Sequence, residues 1–357
     1  NADGYVNSIY TIGVTSLDST GVPASYSEIC AAAMATTYGG SYPSSYFYST
    51  DYLASCAENL QGTSYSTAVA AGIIALTLQA NQNLNWRDVQ HLIVLTSKNY
   101  TLSDSDYGWQ FNGARKYVHP KMGFGLMDAE DMVKYASAWI QVPKQVSFQS
   151  SMSIVFLGVD AAGITDSITI DGNCTIQYLE HVQVQIHFQA LSIGHVELTL
   201  TSPNGTKSNL MTQRSADYRI FGTQNWTFMT LQHWGEAAEG QWNLSMAVKL
   251  QTGILFSWQL MLHGTQTDPI PNIDVCSGNP CAVLGLACAG NNYEFECTDP
   301  LPTTNDTMSS TVSSSTTAAI AGGVAAGAVV LGIAVAIVAT VVRLKLARAA
   351  TIAPVTI

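Results

Sequence analysis

Residues 62–78 read Gly62-Thr63-Ser64-Tyr65-Ser66-Thr67-Ala68-Val69-Ala70-Ala71-Gly72-Ile73-Ile74-Ala75-Leu76-Thr77-Leu78. From Ala68 the run is apolar over helical length with no polar stripe, so the pattern predicts a buried helix. Upstream, Ser8 to Val14 is a short run of Ile, Tyr and Val that reads as a strand. Downstream, Trp86 to Thr96 repeats the helical period behind Asn85, a good N-cap. A third helix, Asp128 to Trp139, follows the Gly123-Phe124-Gly125 turn. A strand beside a long buried helix predicts an α/β layer architecture for residues 1–140.

After a linker at Gln141 to Lys144 the period changes to two. Val182, Val184, Ile186 and Phe188 alternate with His181, Gln183, Gln185 and His187, and the same pattern recurs at Val196-Leu198-Leu200, Trp242-Leu244-Met246-Val248 and Ile254-Phe256-Trp258-Leu260-Leu262. Strands with one buried face, broken by turns such as Pro203-Asn204-Gly205, predict an antiparallel β-sandwich over residues 145–265. His181, His187 and His195 fall in these segments and read as a sheet's solvent face, without the paired spacing of metal ligands.

The composition bounds the function classes. The chain has 357 residues, a net charge of −11 and only 11% charged positions, so no cationic stripe exists for nucleic acid. With 47% hydrophobic residues, disorder throughout is excluded, and the length predicts about two domains. Ala318 to Val342 is 25 residues without an ionisable side chain, enough to cross a bilayer core of about 30 Å. Arg343, Lys345 and Arg348 follow directly, so the positive-inside bias puts residues 343–357 in the cytosol: a single-pass type I membrane protein of the secretory route, in the Golgi or at the cell surface. Residues 298–317 are almost wholly Ser, Thr, Pro and Asn, the composition of an extended stalk. Six Asn-x-Ser/Thr sequons, at Asn99, Asn173, Asn204, Asn225, Asn243 and Asn305, agree with glycosylation on that route. Cys276, Cys281, Cys288 and Cys297 crowd residues 276–297, which reads as a small two-disulfide module in an oxidising compartment, with a zinc site as the rival reading. Cys30, Cys56 and Cys174 have no obvious partners. The chain begins at Asn1 without a visible signal peptide and is expected to be a processed product or a fragment.

The chemistry centres on Ser64, just ahead of the apolar helix. A serine at a helix N-terminus has its own N–H free beside the positive dipole end, an arrangement that stabilises the oxyanion formed when the hydroxyl attacks a carbonyl. Gly62 lets a substrate backbone approach closely. The alternative is that Ser64 only caps the helix. A Gly-x-Ser-x-Gly elbow is not present, which sets aside the α/β-hydrolases.

Beyond that tripeptide, the run through Ala70-Ala71-Gly72-Ile73-Ile74-Ala75-Leu76, then Asn85-Trp86-Arg87-Asp88-Val89-Gln90-His91-Leu92, resembles the kexin/furin-like proprotein convertases, a branch of the subtilisin-like serine proteases. Asp3-Gly4-Tyr5-Val6-Asn7-Ser8-Ile9-Tyr10-Thr11, Tyr26-Ser27-Glu28-Ile29-Cys30 and Gly123-Phe124-Gly125-Leu126-Met127-Asp128-Ala129 carry the same resemblance. Ser202-Pro203-Asn204-Gly205-Thr206 resembles the P domain of that family, so the likeness covers about residues 1 to 265. The resemblance implies the C-terminal part of a subtilisin-like catalytic domain followed by a P domain. It implies that Ser64 is the nucleophile, that Asp3 is an S1-pocket carboxylate gripping a substrate Arg, and that Glu28 is a ligand of a calcium ion that organises the pocket. Substrates implied are precursor proteins with basic cleavage sites. Read without the family, Asp3 and Glu28 are solvated surface acids.

The departures from the family pattern bear on activity. Asp and His precede Ser in the subtilisin-like order, yet no histidine occurs before His91, so the base for Ser64 is missing from this chain. The family's oxyanion Asn also lies upstream, as do the partners of Cys30 and Cys56. The chain alone is therefore expected to be inactive. Ala68 stands where the family has Pro, and Tyr65 where it has a small residue next to the nucleophile. Two functions remain: a calcium-dependent serine endopeptidase processing precursors after basic residues, or a non-catalytic, membrane-anchored pseudoprotease or binding ectodomain.

Overall fold

The computed structural model describes residues 1–43, 46–52, 55–99, 102–214, 216–217 and 220–270, and the backbone of two strands, Ala287–Asn291 and Glu294–Thr298, that pair with each other. The expected membrane span at residues 318–342, the tail, all of the stalk past Thr298 including Asn305, and the side chains of the four clustered cysteines lie outside the described residues. Among the described residues no helix is long and apolar enough to cross a membrane. The described residues up to 270 belong to one compact unit.

The α/β part is built on two parallel strands, β1 (Gly13–Leu17) and β2 (Ala33–Tyr38), whose register runs from Val14 against Ala35 to Leu17 against Tyr38. The expected strand at Ser8–Val14 starts only at Gly13. Residues 3–11 instead form turns, because the Asp3 carboxylate accepts the N–H groups of Tyr5 and Val6, at 2.8 and 3.0 Å, and the Thr11 hydroxyl donates to the Ser8 carbonyl at 2.9 Å. Such side-chain bonds occupy backbone groups that a ladder needs. A hairpin of β3 (Phe47–Thr50) and β4 (Cys56–Leu60) leads to helix α1 (Thr63–Ala80).

Helix α1 starts five residues before the apolar run and is not the buried helix the sequence implies. Only Ser66, Ala70 and Thr77 are buried, on one narrow face against β1 and β2. A two-stranded sheet is too narrow to cover an apolar helix on all sides, and Leu76 and Leu78 remain exposed. Helix α2 (Trp86–Thr96) carries a capping box: the Asn85 side chain accepts the N–H groups of Arg87 and Asp88, and the Asp88 carboxylate accepts that of Asn85 at 2.7 Å. After the short pair β5 (Gln110–Phe111) and β6 (Tyr117–Val118), helix α3 (Ala129–Ser137) is capped by Asp128 and packs on α1.

The sandwich strands follow as β7 (Val146–Gln149), β8 (Ser153–Val159), β9 (Ile164–Ile170), β10 (Tyr178–Ser192), β11 (Val196–Thr201), β12 (Lys207–Met211), β13 (Ile220–Thr230), β14 (Gly240–Val248) and β15 (Gly253–Thr265). One sheet has the order β13-β10-β15-β7, with β8 also on β15; the other has β12-β11-β14-β9, and all pairs are antiparallel. The alternating residues Val182, Val184, Ile186 and Phe188 face inward with Leu198, Leu244, Trp242 and Trp258 in one core.

His181 departs from the solvent face expected for it. It is fully buried, between the rings of Trp86 and Trp234, with centroids at 6.1 and 5.4 Å. The reason is that the start of β10 lies against the α/β part, which turns an outward-facing position into an interior one. At the same junction the Glu180 carboxylate pairs with the Arg87 guanidinium and bonds His91 Nε2 at 2.8 Å, all three side chains being almost wholly buried. Asn112 donates to the carbonyls of Gln232 and Trp234 at 3.1 and 2.9 Å, and Leu231 donates its N–H to the Ala31 carbonyl at 3.0 Å.

Candidate active site

Ser64 lies in the first turn of α1, exposed, and its hydroxyl makes no hydrogen bond among the described residues. It does not cap the helix. Gly62 is the N-cap, at φ +146°, and having no side chain it leaves the first-turn N–H groups without a side-chain acceptor. This is the state in which a helix N-terminus receives an external anion.

The loop that carries Ser64 is fastened from two sides. The Gly62 N–H donates both to the Gly39 carbonyl at 3.0 Å and to the Tyr26 hydroxyl at 2.9 Å. Tyr26 in turn donates to the Gly39 and Gly40 carbonyls and shares a hydrogen bond with the Ser16 hydroxyl at 2.9 Å. One turn into the helix, the Thr37 hydroxyl donates to the Ser66 carbonyl at 2.7 Å and the Ser66 hydroxyl to the Thr37 carbonyl at 3.3 Å. The C-terminal end of β2 and the N-terminal end of α1 are therefore locked together, and the nucleophile candidate sits on the locked edge. Local pattern assigns Tyr26 no role of its own; the one signal for it is its place beside Ser27 and Glu28 in Tyr26-Ser27-Glu28-Ile29-Cys30.

Tyr65, the bulky residue after Ser64, stacks on Phe47 with ring centroids 5.4 Å apart, and its ring edge also lies near Gly62. The aromatic pair between β3 and the start of α1 thus occupies the flank of the site.

Asp3 and Glu28 are both exposed, and no hydrogen bond or ion pair joins either of them to the other or to Ser64. Asp3 uses one carboxylate oxygen to hold its own turn. Glu28 follows Ser27, whose hydroxyl donates to the Ser16 carbonyl at 2.8 Å and so ties this segment to β1. Calcium takes six to eight oxygen ligands. Among the described residues no group of three or more His, Cys, Asp or Glu is placed to hold a metal.

None of the seven histidines is hydrogen-bonded to Ser64. His91 is engaged with Glu180, His119 with the Tyr107 carbonyl, and His263 with Ser147 and Gln183. Cys30, Cys56 and Cys174 carry free thiols, unpaired with one another. Of the sequons, Asn173, Asn204 and Asn225 are exposed, and Asn204 also packs on Gly113 and donates to Glu236 at 3.4 Å; the Asn243 side chain is half-buried and accepts from the Ser167 hydroxyl at 2.8 Å.

A locked strand-to-helix junction presenting a serine at a bare helix N-terminus, joined to a β-sandwich, is an arrangement of serine peptidases. Residues 4–109 match the subtilase family, and residues 179–262 match the proprotein convertase P-domain. The chain belongs to the proprotein convertases of the subtilase family. It is 40% identical over 283 residues to proprotein convertase subtilisin/kexin type 6 of Homo sapiens, covering 75% of this chain and 29% of that protein. To neuroendocrine convertase 2 of Bos taurus it is 37% identical over 281 residues, covering 75% of this chain and 44% of the relative. The chain therefore spans less than half the length of these relatives. A solved structure, the serine protease of Aeromonas sobria, superposes with a TM-score of 0.63 at 20% identity over 71% of this chain and 57% of that one, a likeness of fold.

Proposed function

We propose that the chain is the part of a proprotein-processing serine endopeptidase that carries the nucleophile and the P domain. The observation that carries this reading is the exposed, unbonded Ser64 hydroxyl beside uncapped helix N–H groups. In the reaction, Ser64 Oγ attacks the peptide carbonyl, its proton passes to a base that returns it to the departing amine as the C–N bond breaks, and water, deprotonated by the same base, then hydrolyses the acyl-enzyme and restores the Ser64 hydroxyl. First-turn N–H groups of α1 hold the oxyanion. Asp3, with one carboxylate oxygen outside its turn, grips the guanidinium of an Arg before the scissile bond. Glu28 would supply one oxygen to a calcium ion; among the described residues no three His, Cys, Asp or Glu side chains gather to hold it.

The base is then contributed by polypeptide other than these 357 residues, in keeping with the lack of a hydrogen bond between Ser64 and any of the seven histidines. The chain by itself is accordingly inactive, and its substrates as part of the whole protein are secretory precursors with basic cleavage sites. A type I anchor at residues 318–342 holds the site in the lumen of the Golgi or at the cell surface.

The whole protein, expressed through a secretory host, tests this. It should cleave an Arg-Arg-ending fluorogenic peptide, and Ser64→Ala should abolish turnover with an unchanged unfolding temperature. Calcium chelation should also inactivate it. Turnover surviving in Ser64→Ala removes Ser64 from the mechanism, turnover surviving chelation removes the role given to Glu28, and a wild-type protein without turnover favours the non-catalytic ectodomain.

A further inference from the structure

The outer face of the sheet containing β8, β15, β10 and β13 carries an apolar patch that no described residue covers. Ile154 and Phe156 are each 69% exposed and Met152 is 49% exposed. Phe256 lies against both Phe156 and His187, with ring centroids 5.5 and 4.7 Å apart. Phe156 has φ +50°, a left-handed conformation that a bulky residue adopts only under constraint, so its ring is held out on this face by the backbone. A soluble domain rarely leaves such a cluster bare.

The strand register places a glycosylation sequon on the same row of this face. Asn225 is opposite His187, His187 is opposite Ser257, and Ser257 is opposite Ile154. Neighbouring strands lie about 4.8 Å apart, so Asn225 is about 10 Å from the β15 position where the aromatic patch begins. Between them is a depression of about 170 Å³ lined by Met152, Gln185, His187, Asn225, Ser257 and Trp258. Asn225 is exposed on β13, at the edge of the sheet, and its side-chain amide makes no hydrogen bond among the described residues, so a sugar attached there displaces none of their hydrogen bonds.

We propose that an N-linked glycan on Asn225 folds back over this face, its first N-acetylglucosamine filling the depression over His187 and its next sugar covering Phe256 and Phe156. The chemistry matches: one face of a pyranose ring is a sheet of polarised C–H groups that stacks on aromatic rings, while its hydroxyl and acetamido groups meet Gln185 and Ser257 at the wetter end. The modification would then serve as a tethered lid over apolar surface, at high effective concentration because it is covalently attached. The inference rests on the secretory route proposed above and is independent of proteolysis.

The test supplies the route, so that its failure is not the failure of that reading. The full chain, directed into the secretory pathway of a eukaryotic host by a heterologous signal peptide, is analysed by glycopeptide mass spectrometry and bis-ANS fluorescence. Asn225 should be occupied, and Asn225→Gln and Thr227→Ala should each raise bis-ANS binding at least twofold, whereas Asn173→Gln should leave it unchanged. The double variant Asn225→Gln/Phe156→Asn should return it to the wild-type level. Because a variant that enters the pathway without sugar can misfold, the folded wild type is also trimmed enzymatically. Leaving one N-acetylglucosamine should keep most of the cover, and complete removal should raise dye binding as the substitutions do. An unmodified Asn225, or an occupied Asn225 whose sugar can be removed without change in dye binding, overturns the proposal.

Discussion

The side chains at the junction of the two folded parts set the response of the protein to acid. Burial lowers the His181 pKa to about 3, and neither of its ring nitrogens has a hydrogen-bond partner among the described residues. Burial also lowers His91, against the pull of Glu180. For Glu180, burial pushes the carboxyl up, but the hydrogen bonds from His91 and Arg87 outweigh it and hold the group at about 2. The signs agree. An unfolded histidine takes up a proton near pH 6.5 and the folded His181 does not, so stability is full above about pH 6.5 and falls as the pH drops toward 3. The Glu180 carboxylate adds a further loss between about pH 4.5 and 2, the window between its unfolded and folded values. Each such histidine contributes a slope of about 1.4 kcal/mol per pH unit. His181→Phe, which keeps a ring between Trp86 and Trp234, should therefore flatten the pH dependence of urea midpoints between pH 6 and 4 by about that amount. An unaltered slope would show that His181 is not the group that resists protonation.

At the scale of elements, the feature that positions Ser64 is the close approach of β2 to the start of α1. A Cβ at Gly39 would meet the Gly62 carbonyl oxygen at 2.7 Å and the hydroxyls of Ser16 and Ser66 closer still. Gly39→Ala should push the Gly62 loop off its bond to Tyr26. We expect a loss of about 1–3 kcal/mol in stability, of the order of an overpacked core site, and in the whole protein a larger loss in kcat than in KM. Equal turnover in this variant would show that the locked junction does not position the nucleophile. A similar constraint holds farther along: Gly125, at φ +124°, lies against the Lys98 backbone, and its N–H bonds the Met122 carbonyl at 3.0 Å.

At the scale of the molecule, the α/β part and the sandwich share an interior. Ala31 belongs to the same buried cluster as the sandwich core, and Arg87, His91 and Glu180 make a polar network sealed between the two parts. Removing one partner from a buried charge pair costs about 3–5 kcal/mol because the other is left desolvated. Glu180→Ala should cost that much in global unfolding and produce one cooperative transition; a sandwich that still melts separately at its old midpoint would mean the parts are not coupled. Deleting residues 145–265 goes further, baring Arg87, His91 and the surface around Trp86 together, and should give insoluble protein. Soluble, folded material without them would contradict the shared interior.

Local sequence was sufficient where a rule of spacing acts within a few residues. Helix α2 runs Trp86–Thr96 behind Asn85 because the capping box and the apolar period are both local, and the alternation at Val182 to Phe188 specifies which side of β10 is buried. Ser64, as a serine preceding an apolar helix beside Gly62, was legible for the same reason. What local pattern does not contain is the neighbour across the chain. The turns at Asp3 to Thr11, the exposure of most of α1, the burial of His181 and the service of Tyr26 as a clamp on Gly62 are each set by contacts with residues distant in sequence or by competing side-chain bonds. Hydrophobic periodicity records that a face is buried, and only the packed structure decides against what.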